Sequence, residues 1–247
     1  MSEPAMSEPL LSVRGVSKRF GGLLAVNEVS FDVQKGDLVS IIGPNGAGKT
    51  TLFNLLTGQL APSGGQVLFE GQDISRLSPN RRARLGLGRT FQISQTLTSL
   101  SVIENAMVGA FLHHAGVRAA ARRAEEVLHL VGLADRAGVR AGILTLSERR
   151  RLEVARALAL DPRIVLLDEV MAGLNPTEVG ELVELVEGLN REGHTFLVIE
   201  HNLKVVRRFS RRVIVIERGA KLAEGTAEDV LRDPRVVEAY IGRKRAA

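Results

Sequence analysis

The run Leu38-Val39-Ser40-Ile41-Ile42-Gly43-Pro44-Asn45-Gly46-Ala47-Gly48-Lys49-Thr50 decides the reading of this 247-residue chain. Its first half is almost continuously apolar, the pattern of a strand covered on both faces. Its second half has the spacing Gly-x-x-x-x-Gly-Lys-Thr. Glycines let the backbone curl so that successive N–H groups point inward as a nest for an anion. A helix that begins at Lys49 adds the positive end of its dipole. In that geometry Lys49 reaches the β- and γ-phosphates of a nucleotide and Thr50 ligates Mg²⁺. A buried strand before the loop and a helix after it form the context the pattern requires. The expectation is a nucleotide-binding loop over residues 43–50, continued by Thr51.

Outward from this run, the chain alternates in character. Between residues 10 and 70 the apolar residues favour short strands, and Val29, Phe31 and Val33 alternate with polar neighbours as in a half-buried strand. Between 94 and 160 alanine, leucine and arginine dominate, and Leu152, Ala155, Leu158 and Ala159 recur at helical spacing. Buried strands return at 164–167, 195–199 and 213–216. Between them Asn175, Pro176 and Glu178 spell an N-cap, a first-turn proline and the third residue of a capping box. Leu182, Leu185, Val186 and Leu189 supply that helix's apolar stripe, and Gly193 ends it. Strands alternating with helices imply an α/β fold with a mainly parallel sheet. The expected organisation is a P-loop NTPase core over 10–93 and 161–247 with an N-terminal antiparallel β portion, and a helical subdomain inserted at 94–160. Residues 1–9, in which Met1-Ser2-Glu3-Pro4 is echoed by Met6-Ser7-Glu8-Pro9, are expected to be an unstructured leader.

Composition narrows the function classes. No run approaches the roughly 18 apolar residues of a membrane-spanning helix, so any membrane role must pass through partners. The leader has no apolar stretch and is not a secretory signal. There is no cysteine, which excludes disulfides and thiolate metal sites and fits a reducing compartment. The net charge of +5 is arginine-rich. The clusters at Arg81-Arg82, Arg149-Arg150-Arg151, Arg207-Arg208 and Arg211-Arg212 are scattered, and aromatic residues make up only 4%. A single-strand binder interleaves stacking rings among its charges, so the clusters read as solvated helix faces and nucleic acid is disfavoured as a partner.

Two further strand ends carry chemistry. In Ile164-Val165-Leu166-Leu167-Asp168-Glu169 four apolar residues bury the strand and Asp168 emerges at its C-terminal end, where open α/β sheets bind ligands. Asp168 can hold Mg²⁺, and Glu169 can polarise the attacking water, help worth about 10²–10⁴ in rate. Phe196-Leu197-Val198-Ile199-Glu200-His201 ends a third strand in the same way, which singles out His201 from the other histidines.

The order of these features, with Arg89-Thr90-Phe91-Gln92 and a helical stretch between the loop and Asp168, resembles the nucleotide-binding cassette of ABC transporters over nearly the whole chain. Phe20-Gly21-Gly22-Leu23-Leu24-Ala25-Val26, Leu100-Ser101-Val102-Ile103-Glu104-Asn105, Ala172-Gly173-Leu174-Asn175-Pro176 and Val237-Glu238-Ala239-Tyr240-Ile241-Gly242 are similar to the ATP-binding subunit of branched-chain amino acid importers. The resemblance implies ATP as ligand, with Mg²⁺. It places Phe20, which stacks on adenine, and Val26 in the nucleotide site with Gly43, Pro44, Asn45, Gly46, Ala47, Gly48, Lys49, Thr50 and Thr51. It makes Glu169 the catalytic carboxylate, His201 the contact to the γ-phosphate, and Gln92 the sensor of Mg²⁺ and water that faces the transmembrane partner; Thr50, Gln92 and Asp168 surround the metal. It further implies a peripheral place on the cytoplasmic face of the inner membrane, permease subunits, a second ATP-binding subunit, and an extracytoplasmic binding protein acting indirectly.

One motif departs from the pattern. The family's Leu-Ser-Gly-Gly-Gln, which faces the partner's γ-phosphate, aligns with Leu144-Thr145-Leu146-Ser147-Glu148. Thr145 and Ser147 keep hydroxyls for the nucleotide, but two Cβ atoms replace bare glycine and Glu148 adds a negative charge. The reading that follows is a mixed dimer in which this chain's loop, Glu169 and His201 form the competent site. A cassette of a lipopolysaccharide exporter and a soluble ATPase acting on nucleic acid are the alternatives.

Overall fold

The computed structural model describes residues 8–90 and 96–241, the side chain of residue 241 excepted. The chain packs as two compact units, one running to Pro79 and resuming at His201, the other spanning Asn80–Glu200.

The first unit contains β1 (Leu11–Phe20), β2 (Leu23–Val33), β3 (Leu38–Ile42), α1 (Lys49–Leu56), β4 (Gly64–Phe69) and β5 (Gln72–Asp73). After His201 it adds α7 (Leu203–Phe209), β9 (Arg212–Glu217), β10 (Ala220–Gly225), α8 (Ala227–Arg232) and α9 (Pro234–Ile241). An antiparallel sheet of order β2-β1-β4-β5 forms the N-terminal portion. Its register sets Val13 against Phe31 and Val67, and Leu11 against Val33 and Phe69. Period-two alternation thereby puts these apolar residues on one covered face, where all are 4% exposed or less. Every residue of β3 is buried. β3 pairs in parallel with β9, Ile42 opposite Val215, and β10 turns back antiparallel on β9. Ile42, Val206, Val213, Val215, Ala227, Val230 and Val236 make one core cluster, with Tyr240 of α9 packed against it.

The second unit begins in α2 (Pro79–Leu85) and continues through β6 (Leu87–Arg89), α3 (Val102–Ala110), α4 (Val117–Leu130), α5 (Leu146–Leu158), β7 (Ile164–Asp168), α6 (Pro176–Arg191) and β8 (Phe196–Ile199). β6, β7 and β8 form a parallel run, with Arg89 opposite Leu166 and Asp168 opposite Ile199. All residues of β7 and β8 are buried, as continuous apolar runs require. Small residues let α3, α4 and α5 approach: Ala106, Ala110, Ala120, Ala124 and Ala155 are fully buried. The start of α6 is as its sequence predicts. Asn175 accepts the N–H groups of Thr177 and Glu178, Glu178 accepts the Asn175 N–H, and Pro176 stands in the first turn. Gly193, at φ +100°, follows its end.

One expectation needs correction. Arg82 and Arg150, read as solvated, are only 1% and 7% exposed. A long guanidinium stem buries well when its head finds acceptors, and Arg150 pairs with buried Glu153 at 3.2 Å.

Candidate functional site

The loop between β3 and α1 is built from close approaches that only glycine permits. Gly43 has φ +154°, and a Cβ there would lie 2.0 Å from the Ile216 carbonyl oxygen. Gly48 has φ +100°, and its Cβ would lie 2.4 Å from the Ala25 oxygen. The loop is thus pressed between β9 and β2, so its curl is imposed by neighbouring backbone as well as permitted by glycine. The Gly219 N–H donates to the Ala47 oxygen at 2.9 Å and the Ala47 N–H to Pro44 at 3.2 Å, which pins the crown of the loop.

Gly48 is the N-cap of α1 and brings no side-chain cap; no acidic residue stands in the first turn. The positive end of the helix therefore meets no protein carboxylate of its own. Lys49 is 6% exposed, and its Nζ donates to the carbonyls of Gly43 and Pro44 at 2.7 and 3.0 Å. These two carbonyls hold the ammonium across the loop's mouth. Asn45, Gly46 and Thr50 are exposed. Val26 is buried on β2, one residue beyond the Ala25 carbonyl that meets Gly48. Phe20 lies at the hairpin end of β1, opposite Leu23, 45% exposed, with the Lys18 ammonium 5.3 Å from its ring centroid. His201 is exposed, just beyond the end of β8.

In the second unit Asp168 ends β7 with no exposed surface. Its Oδ2 accepts from Arg89 Nη2 at 3.1 Å, and its N–H donates to Thr90 Oγ1 at 3.2 Å. Burial pushes the Arg89 pKa down while Asp168 pulls it up. Reading the residues alone assigned this arginine no role, although it heads the quoted Arg89-Thr90-Phe91-Gln92 stretch. Gln92 lies outside the described residues. Glu169 adopts φ +49°, and its N–H donates to the Ile199 oxygen at 3.1 Å. A non-glycine residue in the left-handed region stores strain, and such strain gathers at functional sites.

Thr145 is the N-cap of α5. Its hydroxyl accepts the Glu148 N–H at 3.2 Å, and Glu148 Oε2 accepts the Thr145 N–H at 2.8 Å. Arg136 Nε donates to Glu148 Oε1 at 3.0 Å. The Thr145 N–H chiefly, with Arg136, holds this carboxyl below its ordinary pKa. Leu146 is 41% exposed and Ser147 is half-buried. This helix start caps itself.

The fit to an anion and its metal follows from these donors. The first-unit loop is a cradle that Cβ atoms would fill, as close backbone approach to phosphate demands. Among the described residues no group of three His, Cys, Asp or Glu could cage a metal. A hydroxyl such as that of Thr50 and a carboxylate such as that of Asp168 suit Mg²⁺, which keeps waters and shares phosphate oxygens.

A glycine-cradled lysine at a helix start and a buried strand ending in Asp-Glu define a P-loop nucleotide-binding protein. Comparison with known proteins gives the class its family. Residues 26–172 match the family model described as ABC transporter, and residues 220–246 match that of the branched-chain amino acid ATP-binding cassette transporter. The chain is 44% identical over 253 residues to the high-affinity branched-chain amino acid transport ATP-binding protein LivG of Escherichia coli K12, covering 96% of this chain and 99% of that protein. It is 42% identical to BraF of Pseudomonas aeruginosa, over 96% of this chain and 99% of BraF. A nucleotide-free ATP-binding cassette from an ABC transporter superposes with TM-score 0.87 at 33% identity, over 95% of this chain and all of that one. A dimeric cassette bound to ADP and phosphate superposes with TM-score 0.78 at 26% identity, over 88% of this chain and 98% of that one. The chain belongs to the ATP-binding cassettes of ABC transporters and is an ATPase subunit of such a transporter.

Proposed function

We propose that this cassette powers uptake of branched-chain or other small amino acids through partner permease subunits, with an extracytoplasmic binding protein delivering the substrate. The observation that carries the reading is the likeness to LivG over 96% of this chain and 99% of LivG, joined by the family-model match at 220–246. No described helix is long and apolar enough to cross a membrane; the peripheral position on the permeases at the cytoplasmic face follows from the likeness to the transporter subunits.

The reaction is ATP plus water to ADP plus phosphate. Phe20 and Val26 receive the adenine, and the loop from Gly43 to Thr51 receives the triphosphate, Lys49 supplying the charge. Thr50, Asp168 and Gln92 would hold Mg²⁺, which neutralises developing phosphate charge when bound. Arg89 orients the Asp168 carboxylate. Glu169 takes up the proton of the attacking water and His201 steadies the γ-phosphate. In this division of labour residues 10–93 and 161–247 act as the ATPase core and 94–160 as the helical subdomain.

The altered α5 start supports a mixed dimer. Thr145 and Ser147 remain as phosphate contacts, but Glu148 already caps the helix, so the partner's ATP faces a weaker anion site than this chain's own ATP does.

The test is purified protein with ATP. Lys49→Ala should lower ATP affinity at least tenfold, whereas Glu169→Gln should keep affinity and lose about 10²–10⁴ of the hydrolysis rate. Equal affinity of Lys49→Ala and wild type would sink the assignment. Proteoliposomes holding the permeases should take up leucine, isoleucine or valine only when the wild-type cassette is present; uptake with Lys49→Ala would refute the transport role.

A further inference from the structure

Beside α4 lies a cavity of about 370 Å³ that the ATPase chemistry does not use, lined by His114, Arg118, Ala119, Arg122, Arg123 and Glu126. Its volume falls in the roughly 300–1,000 Å³ range of small-ligand sites. Part of its lining is fixed by ion pairs. Arg123 pairs with Asp161 at 2.7 Å and with Glu126 at 3.0 Å, and donates to the Leu158 carbonyl at 3.1 Å. His114 Nε2 meets the other oxygen of the Asp161 carboxylate at 2.6 Å. Both acids are thereby engaged by the lining itself.

Arg118 and Arg122 differ. Both are exposed, and neither makes an ion pair or hydrogen bond with another described residue. They stand four residues apart on α4, where like charges repel and destabilise a helix. Glu125 and Glu126 lie within one turn of Arg122, yet neither bonds to it. The fold gains nothing from this pair, whereas two guanidinium forks on one cavity suit the oxygens of a phosphate. Exposed apolar side chains flank the connection from α3 to α4: Phe111 is 49% and Val117 67% exposed. Arginines beside exposed apolar groups are the pattern of a contact with the headgroup and acyl boundary of a bilayer.

We propose that this cavity binds the phosphate of an acidic phospholipid, gripped by Arg118 and Arg122 while Val117 enters the acyl boundary. The proposal builds on the reading of a peripheral transporter subunit and gives it a contact with lipid beside that with the permeases. Composition excludes a membrane span but leaves such a surface contact open.

The experiment is co-sedimentation of the full chain with permease-free vesicles, either phosphatidylcholine alone or phosphatidylcholine mixed with phosphatidylglycerol. Wild type should bind the mixed vesicles and not the neutral ones. Arg118→Gln with Arg122→Gln should weaken that binding about tenfold to thirtyfold, the effect of two charges at an acidic surface. Val117→Ser, which keeps every charge, should weaken it severalfold. Arg81→Gln with Arg84→Gln removes the same charge from α2 and should leave binding near wild type. Both double variants should keep the wild-type unfolding midpoint and ATPase rate. Absence of wild-type binding to the mixed vesicles overturns the proposal. An equal loss in the α2 control also overturns it, since net charge alone would then explain the attraction. Inorganic phosphate is titrated separately. If wild type takes it up, the Arg118 and Arg122 double variant does not, and vesicles are not bound, the cavity belongs to a soluble phosphate and the lipid assignment falls. No permease is present, so the result is independent of the transport reading. Loss of uptake with vesicle binding intact would sink that reading and keep this site, and the reverse would sink this site alone.

Discussion

At the scale of single residues, Gly48 meets two demands together. Its φ of +100° is in the region that L side chains avoid, and the Ala25 oxygen occupies the space where a Cβ would go. Backbone on both sides leaves no flexible side chain to yield, so Gly48→Ala should destabilise by about 1–3 kcal/mol from overpacking. ATP affinity should drop with it, since the nest moves. Thermal unfolding and nucleotide titration of the variant check both; a variant as stable and as tight as wild type would show that the loop is not clamped in this way. The sequence made Gly48 legible through its spacing to Lys49, but it could not show that a strand carbonyl from β2 is what enforces it. Asp168 and Glu169 were likewise legible as a strand end. The left-handed Glu169 and the Arg89 partner of Asp168 were not, because φ and ion pairing depend on where β6 and β8 lie beside β7.

Among the elements, α5 shows how local chemistry and function compete for one helix end. Thr145 and Glu148 satisfy each other's backbone N–H groups, so Thr145→Ala should cost about 1 kcal/mol. The Glu148 carboxyl is held below its ordinary value of 4.5. A depressed folded-state pKa contributes stability that is present above 4.5 and is lost as pH falls through the lower, folded value. The stability difference between wild type and Glu148→Gln, measured by denaturant unfolding, should therefore shrink as pH is taken from 7 to below 4.5. A difference that stays flat with pH would deny Glu148 its capping role. The helix starts at Ser101, Thr145 and Asn175 all have capping boxes in which a residue three positions on closes the box. Such signals are readable in sequence because they span one turn. The Arg136 contact to Glu148 spans 12 positions and needed the fold to appear.

For the whole molecule, the consequence of a self-capped α5 lies in the assembled transporter. In a pair of this chain with its partner cassette, the proposed mixed dimer predicts that Glu169→Gln in this chain alone removes most ATPase activity. Activity near wild type would mean that the partner's site carries turnover. Reverting Leu146 and Ser147 to glycine should speed that partner site, as bare backbone lets phosphate approach. The sequence by itself determined the phosphate loop, the Asp168-Glu169 strand end and the alternation of strands and helices. These rest on spacing and periodicity, which act within a few residues and survive without knowledge of the fold. Tertiary structure alone decided that Ile216 and Ala25 clamp the loop, that Arg89 holds Asp168, that Arg82 and Arg150 are buried, and that Tyr240 of the last helix packs against the cluster containing Ile42. Those contacts join positions distant in the chain, and their energy comes from burial and close approach, which no local pattern encodes.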